Sequence, residues 1–205
     1  MGKTTLVLNL LLNPDMGYGK YFKGDYIWIV SNNKLDNKLK MLADYKEIPE
    51  DNIMSYDEDT LMALYDELEQ DFLDDKEDKK FNHRLIIFDD VGYSGSLKNK
   101  QAGVISKLIS NGRHLGLSQI YTSQRFSMCS SILKSNVTAA CFGNTSMAEL
   151  ELISESFNYL KTKKDFVNLF REYTAEPRSF LCVNFTDPNG IYQDSEFKTI
   201  NTKGL

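Results

Sequence analysis

The chain has 205 residues, 41% of them apolar and 12% aromatic, enough material for one well-packed core and too little for two ordinary domains. Its formal charge of −5 at first argues against a nucleic-acid partner, because affinity for DNA comes largely from Lys and Arg neutralising phosphates. One segment sets that average: residues 57–78 hold eleven acids and one Lys, a net of −10, so the other 183 residues carry +5 and DNA is not excluded.

The elements follow in chain order from the hydrophobic pattern. "TTLVLNLLLN" continues as a helix from Gly2, and "DYIWIVS" (25–31) is a nearly continuous β-rich run, the pattern of a strand buried on both faces. A Lys-rich helix, "KLDNKLKMLADYK", precedes a short strand candidate, "NIMSY", and then the acidic helix. In that helix Leu61, Leu64, Tyr65, Leu68 and Phe72 form one apolar stripe, so it packs by one face. "RLIIFDDVG" is a strand ending in two aspartates, followed by the loop "YSGSLKNKQ" and a helix whose Val104, Ile105, Leu108 and Ile109 share a face. "LSQIYTSQ" reads as a strand, "SSILKSN" as a short helix and "TAACFGN" as a strand again. Two helices ("MAELELISESFNY", "DFVNLFREY") come before a last strand, "RSFLCVNF".

Strands alternating with helices imply crossover units and a mostly parallel sheet with helices on both faces, an α/β domain over residues 1–186. Residues 187–205 read as a polar, loosely ordered tail. No apolar stretch approaches the ~18 residues needed to cross a bilayer, and the start lacks the pattern of a secretory leader. The expectation is therefore a soluble, intracellular protein with no membrane partner. Cys129, Cys141 and Cys182 lie far apart with no C-x-x-C pair, and His83 and His114 have no second ligand at metal-site spacing. Buried, inert thiols are the expected role of the cysteines.

"GKTT" at residues 2–5 looks like the back half of a phosphate-binding loop, G-x-x-x-x-G-K-[ST], although only Met1 stands where five residues should precede Gly2. An ATP site in such a sheet needs backbone N–H groups and a lysine around the phosphates, a hydroxyl and a carboxylate on Mg²⁺, and groups that orient a water. Lys3 is the candidate for the phosphates, with Gly2 and Thr5 in the same loop, and Thr4 and Asp89 are the candidates for the metal. Asp90 is the candidate general base. Gln124, at the end of the strand "LSQIYTSQ", would hydrogen-bond both water and phosphate; its competing role is to cap the following turn. Arg113, at a helix end, either neutralises carbonyl dipoles or reaches a neighbouring subunit's ATP as an arginine finger. Each signal is weak alone. Their order along the chain makes the set specific.

On "GKTT", "LIIFDD" and above all the block "GRHLGLSQIYTSQR…ILKSNVTAACFG", the sequence resembles the FtsK/HerA superfamily of DNA-pumping ATPases, and within it the genome-packaging ATPases of poxviruses, giant viruses and virophages. The likeness runs from Gly2 to about Ile153. It implies a RecA-like (ASCE) P-loop core, Mg²⁺-dependent ATP hydrolysis, homo-oligomeric rings with sites shared between subunits, and translocation of double-stranded DNA into a capsid. By motif position, Lys3, Thr4, Asp89, Asp90, Gln124 and Arg113 inherit the roles given above. The second acid is often Glu in the superfamily, so Asp90 departs from the pattern by one methylene. If the source is viral, the expected place is the host cytoplasm, at the viral factory, or the virion.

Lys98, Lys100, Lys161, Lys163 and Lys164 are the candidates for gripping DNA in a ring's central hole, against the competing reading of solvated surface lysines. A capsid or portal protein is a candidate partner for the acidic helix. The resemblance also implies a strand before the phosphate loop, expected between the strands ending at Asp89 and Gln124. Its absence would leave unpaired backbone groups costing about 1 to 3 kcal/mol each. The reading therefore expects the natural product to begin about 15 or more residues upstream and the 205 residues alone to bind phosphate poorly. A small P-loop kinase and a regulatory paralogue without hydrolytic activity stand as the alternative functions.

Overall fold

The computed structural model describes residues 2–33, 36–79, 81–90 and 103–202. They fall into two compact units rather than the single core that chain length suggested: residues 2–124 with 128–133, and residues 125–127 with 134–202.

In the first unit, β1 (Ile27–Ser31), β2 (Ile53–Met54), β3 (Arg84–Asp89) and β4 (Leu117–Tyr121) form a parallel sheet in the order β2-β1-β3-β4. Helix α1 (Lys3–Leu12) precedes β1, while α2 (Asn37–Lys46), α3 (Glu58–Glu77) and α4 (Val104–Asn111) fill the three crossovers. Successive strand residues point to opposite faces, which sorts the core. Ile27, Ile29, Leu85 and Ile87 pack with Val7, Leu8 and Leu11 of α1 and Leu39 and Leu42 of α2. Trp28, Val30, Ile86 and Phe88 pack with Leu61, Leu64 and Leu68 of α3 and Val104, Ile105 and Leu108 of α4. Both faces are thus covered, and for that reason β1 and β3 are buried at every residue and read as unbroken apolar runs.

Helix starts follow the capping rules. Asp57 accepts from the Thr60 N–H (2.8 Å) to open α3, and Asp36 accepts from the Lys38 and Leu39 N–H groups (2.8 and 3.3 Å) to open α2. At the first residue of β3, Arg84 is 1% exposed. Its Nη2 pairs with Asp75 Oδ2 of α3 at 2.6 Å, and Asn82 donates to the other oxygen of that carboxylate at 3.0 Å.

One expectation is corrected here. No strand lies between β3 and β4: the two pair directly, from Arg84 opposite Leu117 to Phe88 opposite Tyr121. The ladder satisfies the backbone groups that the expected gap would have left open, so the penalty argued from the sequence does not arise at that position.

In the second unit, β5 (Ala139–Phe142), β6 (Leu181–Asn184) and β7 (Tyr192–Gln193) form a separate antiparallel sheet in that order. These strands do not extend the parallel sheet, as the alternating pattern had suggested. Helix α5 (Ser131–Asn136) precedes β5 in the chain, and α6 (Met147–Phe157) and α7 (Lys163–Tyr173) follow it. Leu150, Ile153 and Phe157 of α6 and Phe166, Leu169 and Phe170 of α7 pack with Leu181, Val183 and Tyr192. The stretch expected to be a loose tail supplies part of this core. Tyr192 is buried, its hydroxyl donates to the Phe157 carbonyl (2.8 Å) and accepts from the Tyr159 N–H (2.7 Å), and Ile200 is 8% exposed.

Candidate functional site

Parallel strands end at one rim, and the register shows which residues meet there. Ser31 of β1 lies opposite Asp89 of β3, and the Thr122 N–H extends the β3–β4 ladder by donating to the Phe88 carbonyl (2.9 Å). The start of α1 comes to the same rim, where Thr4 Oγ1 donates to Asp89 Oδ1 at 3.4 Å. Gly2, the N-cap, brings no capping side chain, and the first turn of α1 has no acid. A side chain at Gly2 would meet nothing within 4 Å. The helix therefore offers orphan N–H groups and the positive end of its dipole to the rim, the usual condition for binding an anion.

A single hydroxyl ties the two aspartates together. Thr122, 6% exposed, donates from Oγ1 to Asp89 Oδ1 (2.8 Å) and accepts from the Asp90 N–H (3.0 Å). Asp90, the residue after β3, is in the left-handed region (φ 53°). Gln124 Nε2 donates to Asp90 Oδ2 at 2.7 Å. Beside Thr4, Lys38 Nζ donates to Thr5 Oγ1 at 2.7 Å.

The charge on this rim is unfavourable as it stands. Burial pushes the Asp89 carboxyl above the usual carboxylate range; the bond from Thr122 opposes the shift, the charges of Asp36 and Asp90 add to it, and Thr4 opposes it weakly. A cation beside Asp89 would reverse that balance. A hydroxyl and a carboxylate at the mouth of an uncapped helix are also the donor set that a Mg²⁺ keeping most of its waters needs, so the residues fit a Mg²⁺–triphosphate. No cluster of three or more acidic, His or Cys groups for a metal occurs among the described residues, and such a site does not require one.

Of the residues expected from sequence, Gly2, Lys3, Thr4 and Thr5 start α1, and Thr4, Asp89, Asp90 and Gln124 are joined through Thr122. Arg113 is not among them. It is exposed in the turn Gly112–Leu115, which leads into the first residue of β4, at the opposite rim from Asp89. Lys161, Lys163 and Lys164 are exposed at and before the start of α7 in the second unit. Lys98 and Lys100 lie outside the described residues. Sequence reading missed Thr122, Asp36 and Lys38. Thr122 stands two residues before Gln124, a strand's spacing for one face, and Asp36 carries an N-cap signal inside a stretch read as one continuous helix.

Residues 1–187 match the family described as the poxvirus A32 protein. The chain belongs to that family. Over 110 residues it is 29% identical to the DNA packaging protein OPG160 of vaccinia virus (strain Copenhagen), covering 53% of this chain and 39% of that protein. Over 91 residues it is 31% identical to the protein of the same name from variola virus, covering 44% and 32%. This A32 family member thus spans about two fifths or less of the curated relatives it matches. In fold it is similar to the genome packaging NTPase B204 from Sulfolobus turreted icosahedral virus 2 in complex with ATP-gammaS: TM-score 0.61, 19% identity, 95% of this chain and 90% of that one covered. The AMPPCP complex of B204 gives a TM-score of 0.60 at 17% identity, covering 98% and 93%. The α/β architecture expected from the sequence is the fold of these packaging enzymes. No helix among the described residues is long and apolar enough to cross a membrane.

Proposed function

We propose that this protein is the ATPase of a viral genome-packaging motor, hydrolysing Mg²⁺-ATP to drive double-stranded DNA into a capsid. The observation that carries the reading is the continuous set of contacts Thr4–Asp89–Thr122–Asp90–Gln124 at the rim that also receives the open start of α1. Family membership and the fold shared with packaging NTPases support it.

In this reading the N–H groups after Gly2 and the Lys3 ammonium hold the phosphates. Thr4 and Asp89 hold the Mg²⁺, which when bound neutralises charge on the phosphate oxygens. Asp90 takes the proton of the attacking water. Gln124, bonded to Asp90 through its amide N–H, presents its carbonyl to that water and aligns it. Thr122 fixes the Asp89 carboxylate and, through the Asp90 N–H, the turn that aims the second acid. Arg113, placed on the opposite rim, acts on the site of a neighbouring copy in a homo-oligomeric ring. Lys161, Lys163 and Lys164, with Lys98 and Lys100, supply a sequence-independent grip on DNA phosphates. A capsid or portal component completes the machine, in the viral factory or the virion.

The test is ATP hydrolysis by the gene product with and without double-stranded DNA. The expected result is hydrolysis stimulated by DNA and abolished by Lys3→Ala or Asp89→Ala. Hydrolysis indifferent to DNA would favour the small-kinase alternative, and absence of nucleotide binding the regulatory paralogue.

A further inference from the structure

Cys141 and Cys182 are 41 positions apart in sequence yet directly opposite each other on β5 and β6. The hydrogen-bond phase of that ladder can be worked out from its ends. Phe185 N–H donates to the Thr138 carbonyl (3.0 Å), making 138/185 a bonded pair. Bonded and non-bonded pairs alternate along an antiparallel ladder, so 139/184 is non-bonded, 140/183 bonded and 141/182 non-bonded. The far side of β6 agrees. Asn184 N–H donates to the Ile191 carbonyl (2.7 Å), which puts the backbone groups of Cys182 toward Gln193 of β7 and away from Cys141.

Non-bonded pairs are the ones whose side chains come closest, with Cα atoms about 4.5 Å apart, inside the Cα range of about 4.4 to 6.8 Å that a disulfide spans. Directly opposed residues of an antiparallel pair project to the same face of the sheet, so the two thiols face each other across the ladder. Cys141 is an exposed residue and Cys182 a buried one, so a small reagent approaching from solvent reaches Cys141 first. Cys129 lies outside this ladder.

We infer that Cys141 and Cys182 are a redox-responsive pair that closes to an intrachain disulfide, clasping the edge strand β5 to β6. The oxidant is a low-molecular-weight disulfide such as oxidised glutathione. The Cys141 thiolate attacks one of its sulfurs, the S–S bond breaks and one small thiol leaves. The Cys182 thiolate then attacks the Cys141 sulfur of the mixed disulfide and displaces the second small thiol. Two protein thiols are oxidised, one small disulfide is reduced to two thiols, and the two protons lost by the protein end on those thiols. Reduced thiols reverse the sequence, so the clasp follows the redox poise of its compartment. This inference is independent of the ATPase reading.

The purified protein is equilibrated in glutathione buffers of rising oxidised-to-reduced ratio, quenched in acid, alkylated in denaturant with N-ethylmaleimide and weighed. The expected result at oxidising ratios is one alkylation instead of three, a mass before alkylation lower by about 2 Da for the two hydrogens removed, and a digest peptide joining Cys141 to Cys182. In Cys182→Ser the expected product is a glutathione adduct held at Cys141. Three alkylations at every ratio, an adduct on Cys141 of the unaltered protein with Cys182 still alkylated, or a cross-link through Cys129 would overturn the inference.

Discussion

The two ends of β3 handle charge in opposite ways. At the first residue, Arg84 is buried and its guanidinium is matched by the fixed carboxylate of Asp75, itself held by Asn82. At the last, Asp89 is buried among hydroxyls with Asp36 and Asp90 adding negative charge, and its carboxyl is pushed upward by burial and those neighbours. One end has its counter-charge within the fold, with the guanidinium Nη2 on Asp75 and only the buried Nε left without a hydrogen-bond partner among the described residues. At the other end the groups acting on Asp89 are two hydroxyls and two further acids, and under the proposed function the compensating charge comes from Mg²⁺.

The comparison can be broken from either end. The largest effect belongs to the ligand side: Asp89→Ala should lower ATP turnover by about 10³-fold or more, since under the proposed function it removes a metal contact at the reacting phosphate, as measured by steady-state phosphate release. At the structural end, Asp75→Ala should cost about 3 to 5 kcal/mol, because it strands a buried guanidinium; urea denaturation reads this directly. Thr122→Val keeps the shape and removes the bridge between the two aspartates. It should reduce kcat by about 10- to 100-fold, as expected when a group that positions the general base is lost, with KM for ATP little changed and Thr122→Ser restoring most of the rate.

The smallest effect sharpens the contrast most. A carboxyl whose folded pKa is raised disfavours the folded state once it is charged. That cost is absent below the unfolded pKa and fully present above the folded one. Asp89→Asn should therefore raise Tm at pH 7 in the absence of nucleotide by about 2 °C, the shift that ~1 kcal/mol or less produces in a chain of this length, and the gain should vanish as the pH falls through the acid range. A loss of stability at pH 7 would show that Asp89 is paired like Arg84.

Much of the first unit was legible because its strands are buried on both faces. IWIVS and RLIIFD are apolar at consecutive positions, which a single-faced strand would not be, and the Leu61–Leu64–Tyr65–Leu68 stripe of α3 follows directly from helical periodicity. Asp89 was legible as the polar end of β3 and Asp90 as the acid after it, while Gln124, read as the end of a strand, lies three positions past the end of β4 at Tyr121. Thr122 was not legible, because a threonine in a strand is ordinary until its hydroxyl is seen between two carboxylates. The second unit was harder: Tyr192 and Ile200 are single apolar residues in a polar stretch, and only tertiary packing reveals that Tyr192 caps the end of α6. Cys141 and Cys182 meet through strand register, which no local spacing encodes.

The central claim is that the Asp89 rim is a Mg²⁺–nucleotide site, and the most direct measurement is equilibrium binding of a non-hydrolysable ATP analogue to the gene product, with and without Mg²⁺. The account predicts saturable binding that Mg²⁺ strengthens, with the Mg²⁺-dependent part lost in Asp89→Ala and retained in Arg113→Ala when the protein is dilute and monomeric. Binding of equal strength in Asp89→Ala with Mg²⁺ present would contradict it.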